Sequence, residues 1–385
     1  MESFKIKPEI YFGSGAVAAL ARYAQQKVFI VADPFVVKSG MLSLVTGQLK
    51  SCDIEVFDEI VPDPPLEVIA KGIIAFENFL PSVIVAVGGG SAIDAAKAIR
   101  YFSKTGGSCG LAAIPTTSGT GSEMTSFTVL TDKKTGQKYP VVSDALLPEM
   151  AVLDTEFVKS VPKSVAADTG MDVLTHAIEA YVSTKASAFT DAYAEKAVAY
   201  VFSYLEAACG GDMFAKEKMH EASAMAGIAF NMASLGANHA IAHNLGARLR
   251  LPHGRVNAIL LPYVIAFNAG LWGGRRTDSL KRYAVLGRIA LESGKNTGAW
   301  HAGDEGSVRD LIAGIRQLMT RLDMPVSFRA CGIDMDFIKS IECEAAKGAL
   351  SDGCMATNPR KADEGQLMEI IEKSSEGRLW QQRHF

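Results

Sequence analysis

At 385 residues, with 48% hydrophobic and 21% charged content, the chain has the length for two domains and the composition of an ordinary globular enzyme. A net charge of −3 gives no basic surface for nucleic acid. The six cysteines, at 52, 109, 209, 331, 343 and 354, form no C-x-x-C pair, so neither a zinc knuckle nor a disulfide framework is indicated and a reducing, cytoplasmic setting is expected. The first ten residues, M-E-S-F-K-I-K-P-E-I, lack the apolar core of a secretory signal.

Residues 9–15 predict a short strand and a glycine turn, followed by a helix to about Gln26. Lys27–Asp33, K-V-F-I-V-A-D, is a continuous apolar run ending in an acid. Such runs are buried parallel strands, and their carboxyl ends face the ligand crevice. Asp33 then either accepts a hydrogen bond from a ribose hydroxyl or caps a turn before Pro34. Ile54–Asp58 is a second strand, V-P-D-P-P at 61–65 a rigid connection, and a helix reaches about Phe79. Ser82–Val87 is a third apolar strand that runs into Gly88-Gly89-Gly90-Ser91 and a helix carrying Asp94 and Lys97. A strand–glycine–helix junction lets backbone N–H groups approach a pyrophosphate at the helix N-terminus, although three glycines also make a plain tight turn.

Ala112–Pro115 is a further strand, and T-T-S-G-T-G-S-E-M-T after it is either a wrap of hydroxyl and amide donors around a polar ligand or a flexible loop. Phe127–Thr131 and Gln137–Val142 read as a hairpin, and Met150–Asp154 as the last strand. After about Val165 only helical patterns remain, over 168–183, 187–209, 215–247, 254–269, 278–293, 305–322, 334–349 and 362–374. This switch divides the chain into an α/β domain, 1–165, and an all-α domain, 166–385. The stretch Ala222–Ala247 has no charged residue, but Asn231, Asn238, His239, His243 and Asn244 make it a helix buried in protein on all sides rather than a membrane span.

Five of the seven histidines lie between Asp168 and Gly254. Asp172 and His176 are four residues apart, as are His239 and His243, and residues at i and i+4 share a helix face. His253 follows a proline, at a loop or a helix start. One carboxylate and three imidazoles make a first shell for Fe²⁺ or Zn²⁺. The alternative is a set of satisfied core histidines, because Asp-x-x-x-His alone recurs by chance.

Several motifs together resemble the iron-containing (group III) alcohol dehydrogenases. They are G-G-G-S-x-x-D-x-x-K at 88–97, I-P-T-T-S-G-T-G-S-E at 114–123, G-M-D-V-L-T-H-A-I-E-A at 170–180, H-A-I-A-H-N-L-G at 239–246, L-P-H-G-R-V-N-A-I-L-L-P at 251–262 and T-N-P-R at 357–360. Within the family the likeness is greatest to microcompartment-associated 1-propanol and ethanol dehydrogenases. The resemblance implies the dehydroquinate synthase-like fold, an N-terminal α/β dinucleotide-binding domain followed by an all-α domain holding one Fe²⁺, with Zn²⁺ as a substitute. It makes Asp172, His176, His239 and His253 the metal ligands and His243 a catalytic residue beside the nicotinamide. Cofactor contacts fall to Asp33, Gly89, Gly90, Ser91, Asp94, Thr116, Thr117, Thr120, Thr125 and Lys138, and Phe127 and Phe230 shape the substrate pocket.

The expected reaction is hydride transfer between a short-chain primary alcohol and NAD(H), the metal lowering the pKa of the alcohol. A homodimer or larger homo-oligomer is expected, in the cytoplasm or inside a microcompartment with shell or lumen partners, and no nucleic acid or membrane partner. Two other readings share features with this one: a glycerol dehydrogenase-like or dehydroquinate synthase-like enzyme on a polyol or sugar-derived substrate, and a metal-binding scaffold protein of a microcompartment.

Overall fold

The apolar runs of the first half become the strands of a parallel sheet. The computed structural model describes residues 4, 6–131, 138–272, 276–294 and 301–379, and the chain forms two compact units, Met1–Val161 and Pro162–Phe385.

The first unit contains β1 (Glu9–Phe12), β2 (Lys27–Ala32), the short helices α1 (Pro34–Lys38) and α2 (Leu42–Thr46), and β3 (Asp53–Phe57). It continues with α3 (Leu66–Phe79), β4 (Val83–Gly88), α4 (Gly90–Phe102), β5 (Gly110–Pro115), β6 (Phe127–Thr131), β7 (Lys138–Val142) and β8 (Met150–Leu153). Six strands make one sheet in the order β1-β8-β5-β4-β2-β3, and every neighbour pair is parallel. β4 is buried at every position, which is why it reads as unbroken rather than alternating. Its residues split between two cores. Phe29, Val31, Ile84 and Ala86 pack with Phe76 and Ile99 on one face, while Val28, Ile30, Val85 and Val87 pack with Leu20, Leu49 and Phe157 on the other. The chain leaves β2 for β3 on one side and returns to β4 on the other. The carboxyl ends of β2 and β4 therefore flank a topological switch point, where α/β sheets bind ligands. β6 and β7 form the expected antiparallel hairpin.

The second unit is helical: α5 (Lys163–Val182), α6 (Ala188–Cys209), α7 (Met213–Ala233), α8 (Ala237–Leu249), α9 (His253–Asn268), α10 (Ser279–Ser293), α11 (Gly303–Arg321), α12 (Met335–Ser351) and α13 (Glu364–Glu376). The single helix expected over 215–247 is two. The break spans 234–236, where Ser234 takes a left-handed φ of 62° and its N–H still reaches Phe230 O at 2.8 Å. Gly236 is required there, since a Cβ would lie 2.8 Å from Asn358 Oδ1 and 2.9 Å from Glu179 Oε1. Nor is this stretch buried on all sides, because His243 is exposed. No helix of the described residues is long and apolar enough to cross a membrane.

Candidate metal centre and cofactor loop

α5 carries Asp172 and His176 on one face, and the break at 234–236 lets α8 start afresh and aim His239 at them. Pro252 precedes α9, so His253 occupies its first turn. The next residue must be small: a Cβ on Gly254 would sit 2.0 Å from Asp168 O. Arg255 then locks α9 to α5 through a bidentate pair with Asp168, both contacts at 2.9 Å.

The donor atoms of Asp172, His176 and His239 lie within 4.8 Å of one another. His239 Nε2 is 3.7 Å and His253 Nε2 3.8 Å from Asp172 Oδ1. The His176 ring is stacked between Phe230, at 4.4 Å, and His239, at 4.6 Å. The side chains of Asp172 and His239 keep 6% and 1% of their surface, whereas His253 keeps 44%. The centre thus has a dry floor and one accessible side.

The amide nitrogen of Asn257 lies 2.7 Å from Asp172 Oδ1, 3.1 Å from His239 Nε2 and 3.0 Å from His253 Nε2. An amide nitrogen has only hydrogens to offer. Three lone-pair-bearing atoms converging on one donor is the arrangement that suits a cation. His239 is neutral, because burial holds its pKa well below the usual value. Its Nδ1 is 2.6 Å from Glu179 Oε2, and Glu179 also accepts from the backbone N–H groups of Asn238 (2.7 Å) and His239 (3.3 Å). Burial pushes the Glu179 carboxyl up to about 8, opposed by these backbone donors. Two N–H groups are already aimed at Glu179; with its carboxyl ionised it accepts from His239 Nδ1 as well, and the Nε2 lone pair then points inward. A carboxylate and three imidazoles with this orientation fit Fe²⁺ or Zn²⁺.

In the first unit the predicted cofactor residues gather at the switch point. Asp33 caps α1, its Oδ1 accepting from Val36 N–H at 3.0 Å, so the capping alternative is what its first oxygen does. Its second oxygen lies against the glycine loop: a Cβ on Gly88 would be 2.7 Å from Asp33 Oδ2. Gly88 has φ 155°, a backbone that favours glycine. Gly89 caps α4 without a side chain, leaving the first turn, with Gly90 and Ser91, open to an anion. Thr117 and Thr120 border this loop, their side chains being the nearest neighbours of a Cβ built at Gly89 or Gly90. Thr116 is joined to it through its N–H to Gly88 O at 3.0 Å.

Asp94 and Thr125 brace this loop with their side chains. Asp94 accepts from Ser122 Oγ at 2.5 Å and Val129 N–H at 3.0 Å. Thr125 Oγ1 and Ser122 Oγ each accept from the fully buried Lys97 ammonium at 3.0 Å, which also reaches Phe127 O at 2.9 Å. Burial pulls the Lys97 pKa down to about 8. The side chain of Lys138 lies outside the described residues.

Residues 7–155 match the family model described as iron-containing alcohol dehydrogenase, and residues 166–375 match the C-terminal model of the Fe-containing alcohol dehydrogenase family. The chain is 43% identical over 380 residues to 1-propanol dehydrogenase PduQ of Salmonella typhimurium, covering 97% of this chain and 100% of that one. The chain belongs to the iron-containing alcohol dehydrogenase family. It is also 37% identical to the NADPH-dependent butanol dehydrogenase of Clostridium saccharobutylicum, over 97% of each chain. Among solved structures, a 1,3-propanediol oxidoreductase matches with a TM-score of 0.88 at 30% identity, covering 97% of this chain and 100% of that one. The iron-containing alcohol dehydrogenase of Thermococcus thioreducens gives 0.87 at 31% identity, with the same coverage. The α/β unit followed by a helical unit is the fold that the resemblance implied for this iron-containing alcohol dehydrogenase.

Glu179 and Asn257 lie within the motifs at 170–180 and 251–262, but nothing in the sequence assigned either a role at the centre. Glu179 is one turn beyond His176 on α5, and only a folded chain brings it to His239. In Glu179→Gln the side chain has one acceptor and one donor end, so an N–H must face either the α8 backbone or His239 Nδ1. The second case pushes the imidazole proton onto Nε2 and closes that lone pair. Metal affinity should fall by roughly 10–100-fold, read by competition with a chelator. An unchanged affinity would show that Glu179 does not set the tautomer.

Proposed function

We propose that this alcohol dehydrogenase interconverts short-chain primary alcohols and aldehydes with NAD(H), using one Fe²⁺ that Zn²⁺ can replace. Asp172, His176, His239 and His253 hold the metal in this reading. The observation that carries it is that the donor atoms of Asp172, His176 and His239 lie within 4.8 Å of one another, with His253 Nε2 3.8 Å from Asp172 Oδ1. The relatives named for 1-propanol and butanol support the substrate class. When bound, the metal supplies Lewis-acid polarisation of the carbonyl oxygen. The chain's own residues do the rest. Asp33 and the 88–91 loop hold the dinucleotide, Phe230 walls the centre beside His176, and His243 carries the proton. NAD(H), when bound, would supply or accept the hydride, so that in the reducing direction aldehyde, NADH and H⁺ yield alcohol and NAD⁺. A homo-oligomer working in the cytoplasm or within a microcompartment is part of the same proposal.

C2–C4 aldehydes with NADH, offered to protein reconstituted separately with Fe²⁺ and Zn²⁺, test the reading. Reduction of at least propanal by the Fe²⁺ form is expected. No turnover of any aldehyde with either metal would contradict it. His243→Ala should keep its metal and lose about 10²–10⁴-fold in kcat, the range that a positioned acid–base group contributes. A variant retaining most of its kcat would leave His243 as packing only.

A further inference from the structure

His243 lies one helical turn beyond His239 on α8, with 38% of its side chain exposed. Its Nδ1 is 2.9 Å from Asp352 Oδ2. Exposed His–carboxylate contacts are usually mobile and contribute little. This one is built differently, because the carboxylate is held at its other end too. Asp352 closes α12 and caps the 3₁₀ turn Gly353–Thr357, its Oδ1 accepting from Cys354 N–H at 2.8 Å. Only 18% of the Asp352 side chain is exposed.

The turn that carries Asp352 is also tied to the start of the helix that carries His243. Thr357 Oγ1 donates to Leu235 O at 2.6 Å, and Asn358 Oδ1 accepts from Ala237 N–H at 3.1 Å. Asn358 Nδ2 donates in turn to Asn268 Oδ1 at 2.9 Å, anchoring the turn on α9. The T-N-P-R stretch, whose role the resemblance left unassigned, is therefore the mount that sets the distance between Asp352 and α8. Cys354 Sγ also lies within 4.8 Å of the His243 and Asp352 donor atoms. Burial keeps its thiol well above the usual pKa, so it is protonated and a poor ligand for a cation.

We infer that Asp352 is a positioning residue for His243: it accepts the Nδ1–H, leaves Nε2 as the nitrogen open to substrate or solvent, and holds the ring plane. The ring lies 12° from parallel to that of His253, at 5.6 Å. A histidine free to rotate and to exchange tautomers presents the correct nitrogen only part of the time. A carboxylate that orients an imidazole removes that loss. This inference rests on the proton-carrying role of His243 proposed above, and its test separates the two.

The test uses the metal-loaded enzyme with Asp352→Ala, Asp352→Asn, His243→Ala and the double variant His243→Ala/Asp352→Ala. Asp352→Ala should lower kcat about 10–100-fold, with metal content and aldehyde KM within about twofold of wild type. Asn keeps one oxygen to accept from Nδ1–H, so Asp352→Asn should recover part of the loss. Placed on His243→Ala, the Asp352→Ala change should cost nothing further, because its target is gone. Two-bond ¹⁵N–¹H spectra of the Zn²⁺-loaded protein should show His243 protonated at Nδ1 in wild type and a tautomer mixture in Asp352→Ala. Additive losses in the double variant, loss of metal in Asp352→Ala, or an unchanged tautomer would each overturn the inference. If His243→Ala itself keeps full kcat, the proton role fails, and the spectra alone decide whether Asp352 orients the ring.

Discussion

Purified His176→Ala and His253→Ala proteins should each retain little metal and lose aldehyde reduction by at least about 10³-fold, near 4 kcal/mol of barrier. Outer-shell changes around metal sites typically cost 10–100-fold, and these substitutions delete donor atoms themselves. The two variants should differ in stability. The His176 ring is stacked between Phe230 and His239, so alanine leaves a buried gap and should lower the unfolding free energy by about 2 kcal/mol even without metal. His253 is at the start of α9 with 44% of its side chain exposed, so its alanine variant should fold normally in the presence of a chelator. Metal analysis alongside thermal melts with and without chelator separates the two effects. Near-stoichiometric metal in both variants would remove these residues from the ligand set.

The second large effect is on the coenzyme. Wild-type kcat/KM should favour NADH over NADPH by roughly 10²-fold or more, because a carboxylate at the ribose repels a 2′-phosphate at a cost of several kcal/mol. Asp33 Oδ1 is engaged by Val36 N–H, and Oδ2, beside Gly88, remains to meet the ribose hydroxyl. Family membership does not decide this preference, since the Clostridium saccharobutylicum relative is an NADPH-dependent enzyme. Asp33→Gly should bring the two coenzymes within about tenfold of each other and leave metal content unchanged. It also removes the α1 cap, but glycine is tolerated at an N-cap, so the accompanying stability loss should be only a few tenths of a kcal/mol, below about 0.5 kcal/mol. Equal or better use of NADPH by the wild-type enzyme would show that Asp33 does not sit at the ribose.

Features governed by local physics were legible from the residues. Continuous apolar runs became buried parallel strands because both sheet faces are covered, and the i,i+4 pairs of Asp172/His176 and His239/His243 fell on helices as spacing requires. The break between α7 and α8 was not legible. Ala-rich, uncharged residues continue through it, and only the approach of Glu179 and Asn358 explains why Gly236 must interrupt the helix. The same long-range logic hid Asn257, which touches Asp172 and His239 across wide sequence separations. Asp94 shows the converse. Its motif position implied a cofactor contact, and the fold adds hydrogen bonds from Ser122 Oγ and Val129 N–H that brace the loop and that the sequence did not announce.

One metal ion, held by Asp172, His176, His239 and His253, should be required for aldehyde reduction. Anaerobic titration of chelator-treated protein with Fe²⁺, followed by NADH-dependent propanal reduction, tests it most directly. Activity should rise linearly and break at one equivalent per chain in the wild type, and the titration should stay flat in His253→Ala. Full activity in the chelated wild type, or an identical titration in His253→Ala, would contradict the claim.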